Sequence, residues 1–212
     1  MFDCDGVLVD SEAAANGRMA EIFTDLGHPI SGHECRTLFQ GRTMEGVCET
    51  FAELAGLPQD PNLPARLRTE VEKVLADSVE PVPGAVDLVH RVRAGGLAIC
   101  VASSGSVPKM HMTLGRVGLL PYLRNVLFSA QDVGRGKPHP DVFLAAAAAM
   151  GSSCEDAVII EDSVSGVQAG IAAGARVIAY AGDPFTIASV LADAGAEIVD
   201  DMGDVPALIG LA

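Results

Sequence analysis

Hydrophobic and polar positions follow two different patterns along the chain. Between Glu12 and about Glu80, apolar residues recur at helical spacing, and glycine and proline interrupt them at three points. This part of the chain contains no convincing strand pattern. The pattern therefore predicts a helical region, with helices over residues 12–26, 31–39, 43–55 and 64–78.

From Pro81 onward, short apolar runs typical of strands alternate with helical stretches. The predicted strands are residues 97–102, 125–129, 157–160, 176–179 and 197–199. The predicted helices are residues 84–94, 107–117, 140–150, 164–173, 184–194 and 205–211. Such alternation is typical of a parallel sheet covered by helices on both faces, so the sequence predicts a three-layer α/β protein.

The two patterns also predict how the chain is divided into domains. Residues 1–11 and 81–212 form the predicted α/β core, and residues 12–80 form a helical domain inserted after the first strand. The connecting segments near residues 10–11 and 81–83 could act as hinges. Open parallel sheets bind ligands beyond the carboxyl ends of their strands, so a helical insertion there would cover the ligand site.

The composition narrows the classes of function. The 212 residues carry a formal net charge of −14, which disfavours binding to nucleic acid or to an anionic membrane. An anionic substrate would need local positive charge or a metal. The five cysteines show no CxxC spacing, and no signal peptide or bilayer-spanning run is found. These features predict free thiols in the cytoplasm and leave the oligomeric state open.

Chemically distinctive polar residues follow the predicted strands. They are Asp3 and Asp5 after the first strand, Ser103 and Ser104 after strand 97–102, Lys137 in a loop before a helix, and Glu161 and Asp162 after strand 157–160. Taken singly, a serine can be a helix cap and a lysine is usually solvated. Taken together at one edge of a parallel sheet, these residues indicate an anion site rather than caps.

The acidic pairs indicate a divalent cation. Asp3 and Asp5 would face the same side of an extended segment, where their mutual repulsion invites a divalent cation or a split of their two pKa values. Hard oxygen ligands without a His or Cys cluster favour Mg²⁺ over zinc. A carboxylate and a phosphate oxygen about 4 Å apart repel by roughly 4 kcal/mol per charge pair at an effective dielectric constant near 20. An aspartate that attacks a phosphate therefore needs Mg²⁺ and Lys137 to offset the charge.

The spacing of these residues resembles the four motifs of the haloacid dehalogenase (HAD) superfamily. The matching segments are Asp3-x-Asp5-Gly6-x-Leu8-x-Asp10-Ser11, Ser103 after an apolar strand, Gly136-Lys137-Pro138, and Glu161-Asp162-Ser163-x-x-Gly166. The helical insertion is similar to the alpha-helical cap of the β-phosphoglucomutase and sugar-phosphatase branch. The resemblance implies a Rossmann-like core with a cap. It also implies a Mg²⁺-dependent phosphatase acting on a sugar or sugar-acid phosphate, with 6-phosphogluconate as one candidate.

The resemblance implies a chemical role for each core residue by its position in the motifs. Asp3 would be the nucleophile that forms an aspartyl-phosphate. Asp5 would be the general acid that protonates the leaving oxygen and then the base that activates water. Ser103, the backbone amide of Ser104 and the ammonium group of Lys137 would hold the phosphoryl oxygens.

The resemblance also implies a metal site and a region for the leaving group. Mg²⁺ would be bound by the carboxylates of Asp3 and Asp162 and by the backbone carbonyl of Asp5. Glu161 would be a further ligand or would contact the ligands. Arg42 lies in a segment similar to the substrate loop of the family cap. It is the candidate for recognising the leaving group, and an ordinary surface arginine is the alternative interpretation.

Other activities match parts of the same pattern. Dehalogenases and phosphonate-cleaving relatives lack an acid at the position of Asp5, so Asp5 favours phosphoryl transfer. Mutases of this branch carry a histidine where this chain has Ala15, so a β-phosphoglucomutase-type reaction is the alternative to hydrolysis. A non-catalytic phosphate-sensing protein is the alternative from another class. The cap and Asp5 argue against it, because a sensor needs neither a lid nor a proton donor.

The first strand is short in comparison with the family. Only Met1 and Phe2 precede Asp3, whereas family members usually have several apolar strand residues there. So short a central strand would lose ladder hydrogen bonds and buried apolar area. The resemblance therefore predicts either a start upstream of Met1 or a shortened strand, which mass spectrometry of the native N-terminus would decide.

Overall fold

The structure, a computed structural model, describes residues 1–39 and 42–211. It divides into two compact units, one formed by Met1–Asp10 with Glu80–Ala212 and the other by Ser11–Val79. Each unit has a hydrophobic core of its own. The chain leaves the first unit through β1 (Val9–Asp10) and returns to it through β2 (Glu80–Pro81), and these two segments pair antiparallel.

The described part of the second unit is helical. Its elements are α1 (Ser11–Asp25), α2 (Gly32–Phe39), α3 (Met44–Ala55) and α4 (Leu63–Ser78). The start of α3 is set by Thr43, whose side chain accepts a hydrogen bond from Gly46 N, and its end by Gly56 in the left-handed conformation. The core of this unit is aromatic, since the rings of Phe23 and Phe51 stack with their centroids 4.0 Å apart.

The first unit is built on a parallel sheet. Its strands are β3 (Val101–Ser103), β4 (Leu127–Ser129), β5 (Val158–Glu161), β6 (Arg176–Tyr180) and β7 (Glu197–Val199). β3 pairs with β4, and β6 lies between β5 and β7. Phe2 forms parallel bridges to Val101 and to Ile160, so it joins the two groups of strands. The predicted α/β class with a parallel, Rossmann-like sheet is confirmed.

Helices connect the parallel strands. They are α5 (Ala85–Ala94), α6 (Val107–Arg116), α7 (Leu120–Leu123), α8 (Asp141–Ala149), α9 (Val164–Ala172), α10 (Ala188–Asp193) and α11 (Val205–Leu208). Short 3-10 turns occur at Ala130–Asp132, Cys154–Asp156 and Met202–Asp204. The buried faces of α8 and α9 contribute Phe143 and Val167 to the core of this unit. Both side chains are fully removed from water, which is the main driving force for packing helices on a sheet.

Several element boundaries differ from the predicted ones. The short helix α7 was not predicted, and Val126 N closes a turn after it by donating to Leu123 O at 2.9 Å. Strand β4 therefore begins at Leu127, and its partner β3 begins at Val101 rather than at residue 97. Helix α10 begins at Ala188 rather than at residue 184, because residues 183–186 form a turn in which Asp183 Oδ1 accepts from Phe185 N.

Two further findings concern the cysteines and the membrane. All five cysteines are buried and free. Among the helices that the structure describes, none has both the length and the apolar character needed to cross a bilayer.

Candidate active site

Three of the predicted side chains meet at the carboxyl edge of the sheet. Asp3 directly follows the bridging residue Phe2, and Glu161 is the last residue of the neighbouring strand β5. Lys137 lies between them, and its Nζ donates to Asp3 Oδ1 at 2.7 Å and to Glu161 Oε1 at 2.6 Å. The lysine side chain is only 3% exposed, so this bridge is buried.

The surroundings of Lys137 keep it positively charged. Burial alone would lower the pKa of Lys137, but the carboxylates of Asp3 and Glu161 outweigh burial and raise this pKa above its usual range. The ammonium group also lies 4.9 Å from the centroid of the Phe143 ring, which adds a cation–π contact. The site therefore holds one fixed positive charge between two strand ends.

Glu161 connects Lys137 to the start of helix α9. Its Oε2 accepts hydrogen bonds from Asp162 N at 2.8 Å, from Ser163 N at 2.9 Å and from Ser163 Oγ at 3.0 Å. The side chain is fully buried, and a Cβ added at Gly166 would lie 1.8 Å from Oε1. A glycine is therefore required at position 166 for this carboxylate to reach Lys137 and the helix N-terminus together.

Asp162 completes an acidic cluster. One carboxylate oxygen from each of Asp3, Glu161 and Asp162 lies within 4.8 Å of the others, a spacing that could hold a metal ion. Burial, reinforced by Glu161 and Asp3, raises the pKa of Asp162 well above its usual range. Gly6 has a φ of +79°, and a Cβ there would lie 1.9 Å from Asp162 Oδ2, so this turn leaves room for the carboxylate.

The donor set fits a hard divalent cation. When ionised, the three carboxylates outnumber the single ammonium of Lys137 and leave two negative charges in a buried space. Carboxylate oxygens without nitrogen or sulfur donors are the ligands that Mg²⁺ prefers. The predicted metal ligands Asp3, Glu161 and Asp162 lie together in the structure.

Asp5 is paired with Lys109, a residue that the sequence did not predict to be part of the site. Lys109 Nζ donates to both Oδ1 and Oδ2 of Asp5 at 2.9 Å. Burial alone would lower the pKa of Lys109, but the Asp5 carboxylate outweighs this effect and raises it. Lys109 lies in the first turn of α6, where a positive charge opposes the helix dipole. That unfavourable position is the signal in the sequence from which a nearby anion could have been inferred.

The loop after β3 presents a hydroxyl and backbone amides. Ser103 Oγ is buried and accepts a hydrogen bond from Gly105 N at 3.1 Å, which leaves the hydroxyl hydrogen for a further acceptor. Ser129, at the end of β4, donates to Gly105 O at 2.8 Å. Gln131 Nε2 donates to Ser104 O at 3.4 Å. Ser129 and Gln131 thus support the loop. No local sequence motif indicates this role, which is seen only from their contacts in the folded protein.

Arg42 belongs to the second unit. Its guanidinium Nε donates to Leu38 O at 3.3 Å, and the residue is exposed. Two residues of the same predicted segment, Gln40 and Gly41, lie outside the described residues. Recognition of a leaving group by Arg42 stays a prediction.

The pH dependence of stability offers a test of the cluster. Burial raises the pKa of Asp3 from 3.8 to about 7, and the attraction of Lys137 offsets this only in part. Between these two values, folded Asp3 keeps a proton that the unfolded chain has lost. Asp3 should therefore lower the free energy of unfolding of the metal-free protein as pH rises from about 4 to about 7.

This pH effect can be measured by urea unfolding in EDTA at pH 5 and at pH 8. We expect Asp3→Asn to lose less stability than the unmodified protein between these two pH values. Asp193→Asn, which changes an exposed aspartate of α10, should behave like the unmodified protein. Equal pH slopes for the unmodified protein and Asp3→Asn would contradict the raised pKa of Asp3.

Buried acids and a buried lysine at the ends of parallel strands form a site that can hold a divalent cation and an anionic group such as a phosphate. The model of the haloacid dehalogenase-like hydrolases matches residues 1–174. The chain is 32% identical to 6-phosphogluconate phosphatase of Escherichia coli over 184 residues, which cover 86% of this chain and 82% of that protein. The chain therefore belongs to the haloacid dehalogenase-like hydrolases.

Two further comparisons agree with this family. Fructose-1-phosphate phosphatase of Escherichia coli is 32% identical over 177 residues, which cover 82% of this chain and 91% of that protein. The crystal structure of a HAD family hydrolase from Deinococcus radiodurans, with bound phosphate and sodium, has a TM-score of 0.87 and 29% identity. The match covers 98% of this chain and 93% of the chain from Deinococcus radiodurans. The predicted family and the predicted class of phosphoric monoester hydrolase are confirmed.

Proposed function

We propose that this protein is a Mg²⁺-dependent phosphatase that hydrolyses a small sugar or sugar-acid phosphate through an aspartyl-phosphate on Asp3. The observation that carries the proposal is the buried bridge from Lys137 to Asp3 and Glu161 beside Asp162. A carboxylate can attack a phosphate dianion only where neighbouring positive charge offsets their repulsion. Lys137 supplies positive charge at the carboxylate of Asp3, and the acidic cluster could bind a cation that supplies more.

Asp3 is the proposed nucleophile. The hydrogen bond from Lys137 fixes one oxygen of its carboxylate, and its burial excludes water that would otherwise solvate it. Asp3, Asp162 and the backbone carbonyl of Asp5 would hold Mg²⁺, with Glu161 at its edge. When bound, Mg²⁺ would neutralise phosphoryl charge and keep Asp3 ionised, which its raised pKa in the metal-free site would otherwise oppose.

Asp5 is the proposed proton carrier. In the first half of the reaction Asp5 would give a proton to the leaving oxygen while Asp3 takes the phosphoryl group. In the second half the Asp5 carboxylate would accept a proton from the water that attacks the aspartyl-phosphate. Asp5 regains in the second half the proton that it gave in the first, so the two halves together consume one water.

The loop after β3 is the proposed cradle for the phosphoryl oxygens. The hydroxyl of Ser103 and the backbone N–H of Ser104 would donate to them from one side, and Lys137 from another. Ser129 holds the loop by donating to Gly105 O, so the donors are positioned before the substrate binds.

The helical unit is the proposed cap, and it would select the leaving group. The sugar-phosphate and sugar-acid-phosphate relatives support this substrate class. Arg42 remains the candidate cap residue for contacting the substrate. The absence of a histidine at Ala15 supports hydrolysis over mutase activity. The free cysteines support a cytoplasmic location, with small phosphorylated metabolites as partners rather than nucleic acid or membranes.

The experiment that tests this function is a phosphate-release screen with the purified protein. The panel contains sugar phosphates, sugar-acid phosphates including 6-phosphogluconate, and nucleotides, each with MgCl₂ or with EDTA. We expect Mg²⁺-dependent release of inorganic phosphate from at least one sugar or sugar-acid phosphate. An isomeric sugar phosphate without free phosphate would indicate a mutase. Inactivity on the whole panel with Mg²⁺ would favour a phosphate-sensing role.

Binding of Mg²⁺ should also stabilise the protein without substrate. A cation that relieves the repulsion among Asp3, Glu161 and Asp162 binds the folded state selectively, and at 100 times its Kd it adds about 2.7 kcal/mol to the free energy of unfolding. Thermal unfolding in EDTA and in increasing MgCl₂ measures this effect. Asp162→Asn should lose most of the shift in Tm, while the control Asp193→Asn should keep it. An equal shift in both variants would place Mg²⁺ elsewhere.

A further inference from the structure

Lys109 forms an ion pair with Asp5 that none of the proposed roles explains. Its Nζ is equally distant, at 2.9 Å, from the two carboxylate oxygens of Asp5. A cation placed symmetrically between both oxygens fixes the rotation of the carboxylate as well as its position. The two side chains are 32% and 26% exposed, so the pair is partly shielded from solvent.

Lys109 follows the proposed phosphoryl cradle closely along the chain. It lies in the first turn of α6, directly after the loop of Ser103, and its backbone N–H donates to Ser106 Oγ at 3.3 Å. One helical turn further along α6, Thr113 Oγ1 donates to the backbone carbonyl of Lys109 at 3.0 Å. An Asp5 carboxylate held by Lys109 is therefore fixed relative to the cradle and not only relative to its own turn.

The position of Gly105 shows how close Asp5 lies to the cradle. A Cβ added at Gly105 would lie 3.5 Å from Asp5 Oδ2, 3.5 Å from Ser103 Oγ and 3.7 Å from Lys109 Cδ. These three groups therefore surround one small space beside the loop. A group that transfers protons to a phosphoryl ester must lie within hydrogen-bond reach of the ester oxygen, and a position beside the proposed cradle suits that role for Asp5.

The two aspartates are also held by two different lysines. Lys137 contacts Asp3, and Lys109 contacts Asp5. Because Asp3 and Asp5 are only two residues apart, a single shared cation would draw both carboxylates to one point. Separate cations from separate elements keep the nucleophile and the proton carrier apart, as their different roles require.

We propose that Lys109 is a positioning residue that orients Asp5 for proton transfer to and from the phosphoryl ester. This inference rests on the proposed function of Asp3 and Asp5. Lys109 contacts Asp5 and acts through it. Loss of Lys109 should therefore slow the proton-transfer steps and leave substrate binding nearly unchanged.

The test compares Lys109→Met with the unmodified protein on two substrates. With the best sugar phosphate of the screen, we expect kcat to fall by about 10- to 100-fold, part of the 10²–10⁴-fold that general acid–base catalysis contributes, and KM to change by less than about threefold. With p-nitrophenyl phosphate, whose leaving group departs without a proton, the first burst of p-nitrophenol should keep its rate within about threefold. A purely structural defect would slow both substrates alike.

Two further variants test whether the charge of Lys109 is the cause. Lys109→Arg keeps the charge and should restore most of the lost kcat. Arg116→Met removes a charge from the exposed end of the same helix and should behave like the unmodified protein. An unchanged kcat in Lys109→Met, an equal loss on both substrates, or no recovery in Lys109→Arg would each overturn the inference.

The proposed function has its own readout in the same assays. If Asp3→Asn is inactive while Lys109→Met turns over sugar phosphate like the unmodified protein, the inference on Lys109 is overturned and the proposed function stands. If Asp3→Asn still turns over substrate, the proposed function is overturned, and the inference falls with it.

Discussion

Asp3→Asn is expected to abolish phosphate release while the protein still folds. The amide is nearly the same size as the carboxylate but cannot attack phosphorus, so kcat should fall by at least about 10⁴-fold, as expected for loss of a nucleophile. The change also removes one negative charge from a cluster in which three carboxylates lie beside a single ammonium group. The metal-free variant should therefore be at least as stable as the unmodified protein near pH 8.

The measurement is phosphate release under saturating substrate and MgCl₂, with circular dichroism as the check on folding. Asp193→Asn provides the matched control, since it makes the same chemical change at an exposed site and should keep full activity. Acid-quenched unmodified protein incubated with ³²P-labelled substrate should carry label, and Asp3→Asn should not. A labelled or active Asp3→Asn protein would rule out Asp3 as the nucleophile.

Lys137→Met is expected to have the second large effect, on both activity and stability. Methionine keeps much of the volume but leaves Asp3 and Glu161 without the cation that both contact. Removing one partner from a buried ion pair costs about 3–5 kcal/mol, because the remaining charges stay buried without compensation. Phosphate release should also fall by at least about 10³-fold, since the proposed donor to the phosphoryl oxygens is lost with the charge.

Urea unfolding in EDTA and in MgCl₂ measures the stability effect of Lys137→Met. The loss should be larger in EDTA, because a bound cation would replace part of the missing positive charge. Lys73→Met is the control, since Lys73 pairs with Glu70 on the surface with 64% of its side chain exposed. Its stability should change by less than about 1 kcal/mol. A Lys137→Met protein as stable as this control in EDTA would contradict the buried bridge.

The elements of the fold were largely predictable because their signals are local. Alternation of apolar runs with helical stretches after Pro81 indicated the parallel sheet, and the chain does form it. The boundaries were less predictable where a turn competes with the end of an element, because the apolar pattern does not show which of the two forms. The turn that Val126 closes on Leu123 shortens β4, and the turn at Asp183 delays α10, although both stretches have the apolar residues of a longer element.

The candidate site was predictable to a similar extent. Asp3 and Glu161 could be placed at strand ends because each directly follows an apolar strand in the sequence. Lys109 and Ser129 could not be placed in the same way. Their partners, Asp5 and Gly105, are distant in sequence and are brought near only by the pairing of strands in the sheet.

The bridges made by Phe2 have a consequence for the order in which the molecule forms. Phe2 precedes both of its partners in the chain, and Val101 and Ile160 are made only after all of Ser11–Val79 has been completed. Pairing between residues so far apart in sequence is slow, because a long loop must close before any contact forms. The segment that bears Asp3 therefore waits unpaired during synthesis, and the capacity to turn over substrate is among the last properties that the nascent chain acquires.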